Sequence, residues 1–175
     1  NYTGLRKSDS DFEYISIGDI NENGLIDAYD ISTAATRIGD GVYEKPENKV
    51  AGSLSIVADK KNYKAGEDVV ITIKGKALAN VNALSIALPY DVNEYEYVGI
   101  EALNVAGMSN YSKNRLHTNG NTAVYPTFVN EGNRVTLNGD VEIAKITLKA
   151  KKNIKFNIKA IDGIIVDKHL NSIKF

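Results

Sequence analysis

The chain has 175 residues, 43% of them apolar and 25% charged, with a net charge of -1. That length predicts one or two domains with a real hydrophobic core and excludes whole-chain disorder, while the balanced charge excludes the concentrated positive field that nucleic-acid binding needs. There is no cysteine, which excludes disulfide frameworks and thiolate metal sites, and no run approaches the roughly 18 apolar residues of a membrane span.

The first segment, residues 1–40, holds eight acids against three bases, a net of -5, so the remaining residues carry +4. Beginning at Asn1 without a methionine or a signal pattern, the sequence reads as a piece cut from a longer polypeptide. Within the acidic segment Ile31, Ala34, Ala35 and Ile38 recur at helical steps and Gly39 ends the run, which predicts a short helix with a docking stripe. The stripe is too small to form a core alone. Residues 41–50, rich in glycine, proline and alternating charge, read as a connector, dividing the chain into 1–40, 41–50 and 51–175.

From residue 51 the apolar period becomes two. Leu54, Ile56 and Ala58, then Val69, Ile71 and Ile73, then Leu84, Ile86 and Leu88 alternate with other residues, and the pattern returns at Ala144, Ile146, Leu148 and Ala150 and at Ile154, Phe156 and Ile158. Turn signals separate these runs, among them Lys64-Ala65-Gly66-Glu67, Pro89-Tyr90-Asp91, Asn138-Gly139-Asp140 and Asp162-Gly163. Short strands with frequent turns predict a mainly β fold, a β-sandwich before a closed barrel.

Asp19 to Asp30, DINENGLIDAYD, carries the strongest chemical signal. Calcium takes six to eight oxygens, and a twelve-residue EF-hand loop supplies them from positions 1, 3, 5, 7, 9 and 12 with glycine at 6. Asp19, Asn21, Asn23, the Leu25 carbonyl, Asp27 and Asp30 fill those positions around Gly24. Three carboxylates and two amides suit Ca2+ better than magnesium. The plainer alternative is an Asx-rich turn that caps a helix without an ion.

A calcium loop with only its exiting helix, over residues 18–39, resembles a dockerin repeat, the calcium-dependent docking module of secreted polysaccharide-degrading enzymes. One good copy is present, and Ala28 and Tyr29 stand at loop positions 10 and 11, where family members often place a Ser-Thr pair. The stretch KAGEDVVITIKGKALANVNALSIALPYDVNEYEYVGIEA and the later VEIAKITLKAKKNIKFNIKAIDGIIVDKHLNSI resemble the opening and ending of a cohesin domain, so residues 51–175 are similar to a cohesin-like jelly-roll sandwich. Together these resemblances imply a non-catalytic docking or rigid structural module pair from a secreted or cell-surface glycoside hydrolase. The helix then packs on the sandwich of its own chain or on another domain of the parent enzyme.

Cohesins share their sandwich with cellulose-binding modules, which leaves carbohydrate as the alternative partner. No tryptophan offers a sugar platform; Tyr95 and Tyr97, which share a strand face, and Tyr125 are the candidate sugar contacts against a plainer reading as strand tyrosines. His117 and His169 are the only histidines, and no catalytic motif accompanies them. Lys145, Lys149, Lys151, Lys152, Lys155 and Lys159 form a stripe that reads as a solvated sheet face, or as a basic face meeting the acidic segment.

Overall fold

A computed structural model describes residues 5–6, 18–21, 24–40, 50–105, 107–116, 120–131 and 136–175, with the side chains of 5–6, 25 and 36–40 left aside. In chain order the elements are β1 (Leu5–Arg6), β2 (Leu25–Ile26), α1 (Ala28–Asp40), β3 (Ala51–Ala58), β4 (Asn62–Tyr63), β5 (Asp68–Val81), β6 (Ala83–Tyr90) and β7 (Tyr95–Ala102). There follow β8 (Ser109–Asn110), β9 (Lys113–Leu116), β10 (Thr122–Tyr125), β11 (Thr127–Val129), β12 (Leu137–Ala150), β13 (Ile154–Lys155), β14 (Ile161–Val166) and β15 (Ser172–Lys174).

Two antiparallel sheets face each other. One has the order β3-β5-β12-β7; the other runs β15-β14-β6-β10-β9, with β11 also pairing with β6 and β8 with β11. Alternation decides which side chains lie between them. Val69, Ile71 and Ile73 of β5 and Ala144, Ile146, Leu148 and Ala150 of β12 meet Leu84, Ile86 and Leu88 of β6, Val124, Phe128 and Ile165 in one core. Among the described residues nothing before Val50 belongs to that core. Val50, assigned to the connector by composition, is therefore part of the sandwich.

Two expected turns are bulges instead. Asn138-Gly139-Asp140 lies inside β12, where the register against β5 shifts on both sides of Gly139. The extra residues lie on β5, one on each side, while the left-handed φ of Gly139, 82°, lets β12 follow them without reversing the chain. Asp140 and Asn138 then accept from the Ala77 and Asn80 N–H groups at 2.6 and 2.8 Å, holding the partner strand through its own positive-φ stretch. Asp162-Gly163 is likewise a bulge in β14, between Ile161 and Ile164. The expected strand through Ile158 shrinks to β13; beyond it Ile158 is still buried in the core and Phe156 packs against it.

Candidate functional site

The acidic loop and helix are built on each other's backbone groups. Gly24 takes φ 84°, and its N–H donates to Asp19 Oδ2 at 2.8 Å, closing the turn. Asp27 caps α1 by accepting from Tyr29 N–H at 2.8 Å. Asp30 reaches back: Oδ2 accepts from Asp27 N–H at 2.8 Å and Oδ1 from Ile20 N–H at 2.7 Å, tying the loop's first turn to the helix. All three carboxylates are buried, at 3%, 4% and 2% exposure. Burial is the largest influence on the Asp30 carboxyl and raises its pKa; the two N–H donors pull it down, and the Asp19 charge adds to the rise.

By donor type alone, three buried carboxylates and an amide match the oxygen ligands that a hard cation takes. Asn21 is exposed, Leu25 pairs with Arg6 in the β1–β2 ribbon, and Asn23 lies outside the described residues. Among the described residues no group of three or more carboxylates or imidazoles is drawn together as a metal requires. The capping hydrogen bonds are those of the ion-free alternative, and each carboxylate oxygen that accepts an N–H keeps a further lone pair.

The helix rests on the outer face of the second sheet. Ala28, Tyr29 and Ile31 cluster with Ala83 of β6, Val129 of β11, Ile164 and Val166 of β14, and with Tyr111 and Leu170. Ala28 N–H, one of the donors a helix start leaves unpaired, reaches Ser85 Oγ at 3.3 Å, and the Asn82 amide donates to Ser32 Oγ at 3.3 Å. Ala83 and Ser85 are small, which lets the helix backbone approach β6. This burial contributes on the order of 2–3 kcal/mol.

The expected stripe is rotated. Ala28, Ile31, Ser32 and Ala35 share one side at steps of three and four, whereas Ala34 lies about a third of a turn away and is exposed. Ile38 is helical, with its side chain outside what is described. Nor, among the described residues, does α1 lie on the sheet that carries Lys145 and Lys149: these sit on β12, while α1 lies on β6, β11 and β14.

Of the candidate tyrosines, Tyr95 and Tyr125 present no open ring face. Tyr95 is 1% exposed, sits edge-on to Tyr90 with ring centroids 6.4 Å apart, and donates to Asn157 Oδ1 at 2.9 Å. Tyr97 is half-buried and packs on the same core. Tyr125 is 4% exposed beneath the Arg115 guanidinium, which lies 5.8 Å from its ring centroid. Stacking needs an open ring face. Of the histidines, His169 donates its N–H to Asp167 Oδ1 in a turn, and His117 lies outside the described residues.

The residues that sequence reasoning missed are Asn82, Ala83 and Ser85. Their signal was present: between Leu84, Ile86 and Leu88 the intervening residues are Ser85 and Ala87, small and uncharged, where a solvated strand carries Lys or Thr.

The family model for the cohesin domain matches residues 54–173, leaving the loop and helix outside it. Among solved structures the chain is similar to a cohesin module from a family 33 glycoside hydrolase of Clostridium perfringens, with a TM-score of 0.55 and 14% identity over 73% of this chain and 91% of that one. It is also similar to the type I cohesin–dockerin complex from Clostridium thermocellum, with a TM-score of 0.52, 17% identity and coverage of 73% and 90%. A type II cohesin from Bacteroides cellulosolvens gives a TM-score of 0.55 and 12% identity, with coverage of 70% and 91%. At these identities the likeness is one of fold. No curated protein matches the chain.

Proposed function

Since the chain belongs to the cohesin domain family, we propose that its sandwich is a non-catalytic protein-docking module of an extracellular polysaccharide-degrading assembly. The supporting observation is the contrast between its outer faces. Among the described residues the sheet centred on β6 presents a small-residue, apolar surface that already holds a helix, whereas β5 and β12 present mainly Lys and Thr outward. Solved relatives include a cohesin–dockerin complex, so the partner class is a dockerin. A partner helix would lie across β6 and β14, with Ala83, Ile164 and Val166 supplying contact and Ser85 supplying a hydroxyl to its first turn.

The preceding segment, in this reading, is a single dockerin-like repeat seated on its own sandwich. Asp19, Asn21, Asn23, the Leu25 carbonyl, Asp27 and Asp30 would hold Ca2+, whose charge would offset the repulsion among the buried carboxylates. The ion would brace the loop that starts α1.

Two titrations test this. Calcium added to chelator-stripped full chain should give one calorimetric site that Asp19→Ala removes; no heat and no change in the thermal transition would remove the calcium reading. Immobilised full chain and its Ala28→Arg variant should be titrated with a panel of purified dockerins. Saturable binding by at least one supports docking, and binding by none to either protein defeats it.

A further inference from the structure

We propose that α1 is a removable cover: in cis it fills the seat that a partner's helix takes in trans, so that docking requires its displacement. This rests on the docking reading and adds a control to it. The partner it implies is a helix entered through an Asx-rich loop, with a small residue at its first position and a hydroxyl four residues later, as at Ala28 and Ser32.

Three observations carry the inference. The cover sits on the middle of the face, since β6 lies between β14 on one side and β10 and β11 on the other and α1 contacts β6, β11 and β14 together. Its hold is slight. Among the described residues, of the three apolar α1 side chains in the cluster only Ala28 is fully buried, and the bonds from Ala28 N–H to Ser85 and from Asn82 to Ser32 are each 3.3 Å, at the long end of the usual range.

Finally, the sandwich is complete beneath it: among the described residues its core draws on nothing before Val50. Lifting α1 therefore exposes a surface without opening the core. What keeps the helix in place is tethering. Residues 41–50 join it to β3, so its concentration at the seat is on the order of millimolar, and a trans partner must outcompete that.

The test uses the full chain and, as probe, a fluorescein-labelled synthetic peptide of residues 18–40 followed by anisotropy. Ala28→Arg puts a long charged side chain where Ala28 is fully buried over β6 and leaves the sheet unaltered. The variant should bind the peptide at least tenfold more tightly than wild type, and adding Ser85→Arg should abolish that binding. Hydrogen exchange should show the α1 amides protected in wild type and open in Ala28→Arg. Ser32→Arg is a second displacing variant for which the same gain is expected.

Equal affinity of wild type and both open variants would overturn the proposal, as would α1 amides that stay protected in both. A wild-type dimer that Ala28→Arg converts to monomer would assign the seat to a second copy and also overturn it. Dockerins that bind wild type and Ala28→Arg alike would leave docking standing and remove the cover. Conversely, an Ala28→Arg chain that gains the peptide and binds no dockerin keeps the cover and loses the docking reading.

Discussion

The outer faces of the two sheets are made by the same rule and come out opposite. On β5 and β12 the residues pointing away from the core are Val70, Thr72, Lys74, Lys145, Thr147 and Lys149, with Glu101 opposite Lys145 and Glu96 opposite Lys149. That face is solvated, and its charge discourages stacking against another sheet. On β6, β11 and β14 the corresponding residues are Ala83, Ser85, Ala87, Val129, Ile164 and Val166, all buried. A strand's inward residues therefore say that it has a core. Its outward residues say whether anything sits on it.

The largest test of that difference exchanges comparable changes between the faces. Ile164→Asp, a charge buried under α1, should lower stability by about 2–3 kcal/mol as the helix lifts away, whereas Thr147→Asp should stay within about 0.5 kcal/mol of wild type, both read by urea unfolding. Equal losses would erase the distinction. Next in size, Asp27→Ala removes the cap that holds Tyr29 N–H and should cost about 1 kcal/mol. The loss should appear in α1 amide exchange while β5 and β12 stay protected.

A third expectation concerns the end of the polar-faced sheet. Tyr63 OH donates to Asp59 Oδ1 at 2.6 Å and accepts from Lys60 N–H at 3.0 Å. Burial, with that bond to Asp59, pushes the phenol up to about 12. A raised phenol pKa favours folding fully below the unfolded value near 10 and loses that contribution as pH climbs toward 12. Stability measured against pH should decline across that window, and Tyr63→Phe should flatten the decline while lowering stability at neutral pH.

Smallest of all is the surface pair Lys74–Glu142, 2.9 Å apart and about half exposed on both sides. The Lys74 hydrogen bond holds the Glu142 carboxyl below its usual range. Such a depressed carboxyl contributes only above its ordinary pKa, and that contribution fades as pH falls through the folded value. Lys74→Ala should return the Glu142 titration, followed by NMR, to the ordinary range while barely moving the urea midpoint.

What the sequence made legible was the inward set. Leu84, Ile86 and Leu88, or Ala144 to Ala150 by twos, can be read directly because a period of two has one physical cause. The outward face of β6 was harder, since Ser85 and Ala87 are compatible with water or with a helix backbone, and only the helix decides. Tyr95 was ambiguous for a related reason: a tyrosine has an apolar ring and a polar tip, so alternation does not tell a ring packed edge-on to Tyr90 from one that greets a sugar. Gly139 misled because a left-handed residue serves a reversal and a bulge equally well. Within α1, the abundance of alanine left the buried side undetermined until Ser85 and Asn82 supplied partners for Ala28 and Ser32.

One residue separates β5 from β6, and the chain changes sheets across it. Asn82 donates its N–H to the Val166 carbonyl at 2.7 Å, accepts from Asn130 N–H at 2.8 Å and holds Ser32 with its amide. It thus sets the phase of everything that follows. Inserting or deleting a single residue there would turn β6 over, sending Ala83, Ser85 and Ala87 into the core and Leu84, Ile86 and Leu88 to the surface. The identity of the receiving surface is written in the length of that junction as much as in its side chains, and the pins on Asn82 act as the frame marker that keeps it readable.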